Sequence, residues 1–289
     1  MGPAAQTLTG AMRDVETPLG RVKVRHRACP VCGTGSASAR PTAYGTPSWP
    51  VLACGGCGFT YIADAPDYAA MSETLAWERS TKLEEKRRKK ARPFSWRLSK
   101  ATRFRLWLFP RKRAETMIAR VAAPGNVIDL GCGDGAHLLA LPAGYVPHGV
   151  EISAELARRA QETLAARGGT VIHAASIEGL RQFPKGHFSA ALLRSYLEHE
   201  ADPAGVMNAL RHALKPGGAA VVKVPNFGSL NRRVMGANWC GFRYPDHLNY
   251  FTPASLRRLA DACGFDCRFG LLDALPTDDN MWAVLTARA

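Results

Sequence analysis

Val127-Ile128-Asp129-Leu130-Gly131-Cys132-Gly133-Asp134-Gly135 decides the fold of this chain. A short apolar run carrying an acid leads straight into a glycine-rich turn, and Ala136-His137-Leu138-Leu139-Ala140-Leu141 then reads as the start of a helix. Strand, glycine turn and helix in that order present backbone N–H groups to a ligand at the carboxyl edge of an α/β sheet. The glycines let that ligand come close to the main chain, because no Cβ stands in the way.

Two kinds of cofactor use such a turn. Gly131-x-Gly133-x-x-Ala136 fits the dinucleotide fingerprint, and Glu151 follows Gly131 by twenty residues, where a ribose-binding acid belongs. Asp129 and Asp134 weigh against a dinucleotide, since they flank the turn with negative charge and would repel a pyrophosphate. A cofactor that carries a sulfonium and an ammonium instead of phosphate is favoured by the same acids. On these residues the stretch resembles motif I of the class I SAM-dependent methyltransferases, and Glu151 matches their ribose-hydroxyl acid. The resemblance implies S-adenosyl-L-methionine held at Asp129, Gly131, Gly133 and Glu151.

From about residue 119 strands and helices alternate regularly, as a doubly wound α/β domain requires. Strands are expected at 127–130, 146–150, 170–174, 188–193 and 219–224, with a closing pair at 265–272 and 281–286. Ser153 is placed to cap one helix, Asp202-Pro203 and Thr252-Pro253 open two more, and Gly168 and Gly264 stop the first and last of these. The expected fold is a Rossmann-like methyltransferase sheet of seven strands over residues 119–289; the antiparallel seventh strand is implied by the resemblance.

Further motifs support that resemblance. Ala175-Ser176-Ile177-Glu178 stands where the family often has Gly-Asp-Ala-Glu against the adenine, with Ser176 in place of the aspartate and backbone groups of Ile177 available. Leu192-Leu193-Arg194-Ser195-Tyr196-Leu197-Glu198-His199 resembles the segment after the fourth strand that ends Leu-Glu-His, and Leu193 and Arg194 fall beside the methionine part of the cofactor. In the quinone-biosynthesis O-methyltransferases this motif carries a further acid three residues before its glutamate, and the group binds a divalent metal. Ser195 stands at that place, so the resemblance implies no catalytic magnesium here. Leu214-Lys215-Pro216-Gly217-Gly218 is the family's common turn into the fifth strand. Glu198 and His199 remain an acid/base pair at the carboxyl edge of the sheet.

A second constellation, Asn238-Trp239-Cys240-Gly241-Phe242-Arg243-Tyr244-Pro245-Asp246-His247-Leu248-Asn249-Tyr250-Phe251, falls between the fifth strand and the last helix. A loop so rich in aromatic and polar groups reads as a lid over substrate. With Val224-Pro225-Asn226 before it, the segment is similar to zinc-ribbon methyltransferases of polysaccharide and natural-product gene clusters. His247 is the first candidate for a general base, His199 the second, and Arg243, Tyr244 and Tyr250 are candidates to orient a hydroxylated substrate.

Ahead of this domain, Cys29-Pro30-Val31-Cys32-Gly33 and Cys54-Gly55-Gly56-Cys57-Gly58 form two C-x-x-C-G knuckles with 21 residues between them. A single pair suits redox chemistry; two at this spacing suit one structural zinc on Cys29, Cys32, Cys54 and Cys57. Residues 1–25 show no periodicity and are expected to be a flexible leader, 26–63 the ribbon with a closing strand at 60–62, and 64–118 a helical connector.

The whole chain of 289 residues has room for one ordinary α/β domain and a smaller module, with 46% hydrophobic residues. No signal-peptide pattern and no membrane-length apolar run occur, so a cytoplasmic protein is expected, with peripheral attachment at the inner membrane face. The net charge of +14 is concentrated: Arg79–Arg113 holds fifteen Lys/Arg against Glu84 and Glu85. After Pro93, Phe94, Trp96, Phe104, Trp107 and Phe109 stand among the cations. That mixture suits an anionic membrane surface, or single-stranded nucleic acid, or a solvated helix packed on the catalytic domain. The expected activity is methyl transfer from S-adenosylmethionine to a hydroxyl or activated carbon of a sugar, glycan or related metabolite; the rival is a zinc-ribbon protein that binds or methylates RNA. Against the rival, no Asn-Pro-Pro-Tyr-type motif follows the fourth strand.

Overall fold

Val15 faces Val22 across an antiparallel ladder, and both are buried together with Val24. Residues 13–25, expected to belong to a loose leader, therefore enter a hairpin of β1 (Arg13–Thr17) and β2 (Gly20–His26). The computed structural model describes residues 12–17, 20–66 and 114–289. Strands β3 (Arg40–Gly45), β4 (Pro50–Ala53) and β5 (Thr60–Ile62) carry the ribbon, and β6 (Asp64–Pro66) returns to pair with β2. The basic segment 79–113 lies outside the described residues. The ends of the expected connector are a strand at β6 and a helix, α1 (Ala114–Val121).

The large sheet contains β7 (Gly125–Leu130), β8 (Tyr145–Glu151), β9 (Val171–His173), β10 (Phe188–Arg194) and β11 (Leu214–Pro225). The lid contributes β12 (Asn249–Tyr250), and β13 (Phe265–Arg268) and β14 (Asn280–Ala287) close the order β13-β14-β11-β10-β7-β8-β9. β7 to β11 run parallel, and β14 is antiparallel to both β11 and β13. β10 is buried along Phe188–Leu193, apolar but for Ser189, as expected of a parallel strand covered on both faces.

Between the strands run α2 (Ala154–Ala165), α3 (Ser176–Leu180), α4 (Pro203–Ala213), α5 (Leu230–Met235) and α6 (Pro253–Ala262). Their starts follow the chemistry of the sequence. Ser153 accepts from the Leu156 N–H, Asp202 accepts from the Gly205 N–H at 2.8 Å, and Thr252 and Ser255 cap each other reciprocally. The helix expected after the glycine turn is one 3-10 turn, Ala136–Ala140; Pro142 follows it at once and cannot continue a helix.

The ribbon and the large sheet share one core. Cys29, Val31, Phe59 and Tyr61 belong to the same buried cluster as Ile128, Leu193 and Val224. β12 also joins the ribbon sheet as an edge strand, Asn249 pairing with Tyr61 and Tyr250 with Thr60, in the order β12-β5-β4-β3.

Candidate active site at the carboxyl edge of the sheet

The glycine turn sits at the end of β7. Gly131 has φ +70°, and a Cβ there would meet the Tyr196 ring at 3.1 Å, so the position needs glycine for its backbone and for its neighbour. Glu151, at the end of β8, is buried and accepts from the Gly133 N–H and the Ser153 N–H, both at 2.9 Å. Its carboxylate thus shapes the turn that the resemblance assigns to the cofactor. Asp129 is buried, with Oδ2 at 2.7 Å from His137 Nε2. Asp134 is half-exposed and lies 3.8 Å from Arg159.

Ser176 and Ile177 open α3 on the same edge. The Tyr196 hydroxyl donates to the Glu200 carboxylate and accepts from Ser176 Oγ at 2.5 Å, so this ring bridges the glycine turn and the start of α3. Leu193 is fully buried in β10, whereas Arg194 at its end is exposed. Ser195 follows at φ +55°, strained for a residue with a Cβ, at the point where the chain turns toward Glu198.

Glu198, His199 and His247 come together here: one ligand atom from each lies within 4.8 Å of the others. The imidazole rings of His199 and His247 meet edge to face at 4.7 Å. His199 Nδ1 donates to the Asp246 carbonyl at 2.9 Å and lies 3.3 Å from the Asp246 carboxylate. His247 Nδ1 donates to the Gly241 carbonyl at 2.8 Å. Burial opposes charge on His199, but Asp246 outweighs it and raises the imidazole to about 9. Burial would raise Asp246, yet its pairing with His199 leaves it below the usual aspartate range. Burial, and then the His199 imidazolium, hold His247 well below its ordinary value. Burial, with a smaller push from Asp246, raises Glu198 against the pull of the His199 charge. At neutral pH the first-choice base is therefore a neutral imidazole, and the second is an imidazolium paired with a carboxylate.

The other substrate candidates face the ribbon. Tyr250 is buried against Phe227 and Phe242, its hydroxyl has no hydrogen-bond partner, and burial holds it well above its ordinary value. Pairing of β12 with β5 places this ring in the core beside the ribbon, where it packs the lid. The Tyr244 hydroxyl accepts from the Gly45 N–H at 3.1 Å, and its ring stacks on Phe242. The Arg243 carbonyl accepts from the His247 N–H at 2.7 Å, and its guanidinium acts on Asp246 and His247 through space.

Three residues without an assigned role in the sequence organise this region. Arg27 is 3% exposed. Its Nε donates to the Ile62 carbonyl, one terminal nitrogen to the Glu200 and Ala201 carbonyls, and the other to the Leu248 carbonyl and Asn249 Oδ1, at 2.8 to 3.3 Å. Asn249 Nδ2 donates to the Leu197 and Glu200 carbonyls at 2.8 and 2.7 Å. Asp279 accepts from Trp239 Nε1 at 2.6 Å and from Asn231 at 2.6 Å, tying the lid to the start of β14. Only the place of Asp246 and Asn249 inside the aromatic segment marked them beforehand; Arg27 stood merely as one more cation before the first knuckle.

The four knuckle cysteines converge as expected. Their sulfurs lie within 4.8 Å of one another, with 3.6 Å from Cys29 to Cys57 and 3.5 Å from Cys32 to Cys54. A tetrahedral zinc with Zn–S bonds of about 2.3 Å separates its sulfurs by about 3.8 Å, so the donor set fits. Gly33 (φ +75°) and Gly58 (φ +72°) close the two turns, their N–H groups donating to the Cys29 and Cys54 carbonyls. No helix among the described residues is long and apolar enough to cross a membrane.

The methyltransferase-domain family profile matches residues 99–268. A ubiquinone biosynthesis O-methyltransferase of Methylococcus capsulatus is 32% identical over 154 residues, covering 49% of this chain and 63% of that protein. The protein of the same name from Thiobacillus denitrificans is 29% identical, covering 49% and 64%. The chain thus spans less than two thirds of the length of these relatives. Among solved structures, a SAM dependent methyltransferase from Archaeoglobus fulgidus aligns with TM-score 0.46 at 16% identity, over 67% of this chain and 99% of its own. One from Methanosarcina mazei aligns with TM-score 0.43 at 19% identity, over 59% and 94%.

Proposed function

The chain belongs to the methyltransferase-domain family, and from that premise we propose that it transfers the methyl group of S-adenosylmethionine to a hydroxyl of a small metabolite or glycan. The observation that carries the reading is the meeting, on one sheet edge, of the Glu151-braced glycine turn and the Glu198–His199–His247 cluster. The residues fit the cofactor: Gly133 leaves open space beside the turn that Gly131 begins, Glu151 offers a carboxylate to ribose hydroxyls, and Ser176 and Ile177 stand at the adenine end. Bound there, the cofactor supplies an electrophilic methyl group on a sulfonium. The hydroxyl class is supported by relatives named O-methyltransferases.

The chain's own part is to position and deprotonate the acceptor. With Nδ1 committed to the Gly241 carbonyl, neutral His247 keeps its Nε2 lone pair to take the acceptor's proton. His199, cationic beside Asp246, orients the acceptor oxygen. Most of the acceleration in such a transfer comes from holding the reactants together. Calorimetry should find S-adenosylhomocysteine binding in the micromolar range, about −8 kcal/mol. Labelled S-adenosylmethionine should then pass its methyl to an ortho-dihydroxyaromatic or a sugar hydroxyl in an acceptor panel. Tight NADH binding without S-adenosylhomocysteine binding would sink the proposal.

The basic aromatic segment 79–113 supports a second part of the reading, that the protein docks on an anionic membrane surface and meets a lipid-linked acceptor there. Anionic vesicles should co-sediment more protein than neutral ones, and Trp96→Ala with Trp107→Ala should abolish the difference. Equal sedimentation with steeply salt-dependent RNA binding would favour nucleic acid instead.

A further inference from the structure

We propose that Glu198, His199 and His247 form a second metal site, separate from the ribbon, for a borderline divalent transition metal of the iron(II), cobalt(II) and zinc class. The three donors already lie within 4.8 Å of one another. Each imidazole has its Nδ1–H committed to an acceptor on the far side of the ring, His199 to Asp246 and His247 to Gly241. The Nε2 of His247 is thereby left as a lone-pair donor, and that of His199 becomes one once an ion displaces its proton, with both ring orientations fixed from behind, as metal-bound histidines require.

Glu198 supplies the third donor. It is 1% exposed, and its Oε2 is buried with no hydrogen-bond partner. Among the described residues no Lys or Arg forms an ion pair with it. A buried carboxylate oxygen without a donor is costly, and a cation between it and the imidazoles removes the cost. Asp246, behind His199, adds a second buried carboxylate whose Oδ2 also lacks a partner. Two carboxylates and two imidazoles gathered in one place suit a dication.

The donor set selects the ion. Two imidazoles and one carboxylate favour borderline transition metals, whereas magnesium takes oxygen donors and keeps its waters. Three protein ligands leave positions for water or an acceptor oxygen. Two of the donors follow β10 and the third belongs to the lid, so the ion also pins the lid to the sheet edge. Loaded, the cluster lowers the pKa of an acceptor hydroxyl bound to it, in place of proton transfer to His247. That role rests on the methyl-transfer reading; the binding of the ion does not.

Full-length protein is loaded with Co2+, and bound metal is counted alongside the absorption spectrum. Cobalt on the four thiolates gives intense sulfur-to-metal charge transfer, and cobalt on Glu198, His199 and His247 adds only weak d–d bands. Wild type is expected to hold about two cobalt ions per chain, and Glu198→Gln and His247→Gln about one each. Both variants should retain the charge-transfer band and S-adenosylhomocysteine binding, which shows that they are folded. A wild type that holds only thiolate-bound cobalt at about 1 mM free metal overturns the proposal. So does a second cobalt that persists in both variants. Loss of S-adenosylhomocysteine binding with the second cobalt intact would instead remove the methyl-transfer reading and leave the metal site standing.

Discussion

Replacing Arg27 by alanine should cost the folded protein about 3–5 kcal/mol, the range for breaking a buried charged network. Five acceptors lose a donor at once: the carbonyls of Ile62, Glu200, Ala201 and Leu248, and Asn249 Oδ1; of these the Glu200 and Leu248 carbonyls each keep another, from Asn249 Nδ2 and the Ile62 N–H. Each buried acceptor left unmet costs about 1–3 kcal/mol. Two effects reduce the sum: water entering the vacated space meets some of the acceptors, and the desolvation of the guanidinium no longer opposes folding. Burial lowers Arg27 to about 10, still well above neutral pH, so the wild-type side chain is charged in the assay. Arg27→Lys should recover less than half of the loss, because an ammonium has three donors and no planar fork. Urea unfolding followed by tryptophan fluorescence gives the stability. Amide exchange at Leu248 and Asn249, whose N–H groups donate to the Glu198 carbonyl, reports the lid separately. A loss below about 1 kcal/mol, with lid exchange unchanged, would show that solvent replaces the guanidinium and that Arg27 does not hold ribbon, lid and sheet together.

His148 gives a pH dependence: burial, then His187, lower it from 6.5 to about 4. Its folded value is depressed, so below pH 6.5 the unfolded chain takes up a proton that the folded one refuses, and up to about 3 kcal/mol is lost as pH falls toward 4. His148→Asn, whose side-chain oxygen can still accept from the Thr170 N–H, should flatten urea midpoints between pH 7 and 4; an unchanged slope would assign the effect to other groups. Glu151→Gln should weaken S-adenosylhomocysteine binding about tenfold, about 1.4 kcal/mol, by calorimetry; unchanged affinity would take Glu151 out of the cofactor site. Cys29→Ser should lower the zinc content from about one per chain and destabilise the ribbon; full zinc retention would refute four-thiolate ligation.

The parts that could be read beforehand are those whose signals are local. The glycine turn, the caps at Ser153, Asp202 and Thr252, and the paired knuckles each declare themselves within a few residues, and the structure has them in place. The lid was legible as a site through its composition, and His199 and His247 do meet in it. What was not legible depends on segments distant in sequence. The packing of Tyr250 follows from β5 beside it, and Asp246 acquires its partner only when His199 arrives from the end of β10. The hairpin at residues 13–26 escaped because its buried valines are few and stand among charges. Arg27 has no local signature, since all its acceptors outside its own module come from the other end of the chain.

The pairing of β5 with β12 imposes an order on synthesis. The ribbon leaves the ribosome early and can take its metal at once, since all four cysteines are within residues 29–57. Its outer strand, Thr60–Ile62, then waits with an open edge until Asn249 and Tyr250 are made. Through that interval Phe59, covered in the finished protein, lacks the Phe251 ring that it packs against at 5.2 Å. An exposed apolar strand edge invites pairing with other chains, and slow translation lengthens the exposure. Truncations that end before residue 249 should therefore load metal and still aggregate, leaving the nascent ribbon dependent on chaperones until the lid reaches it.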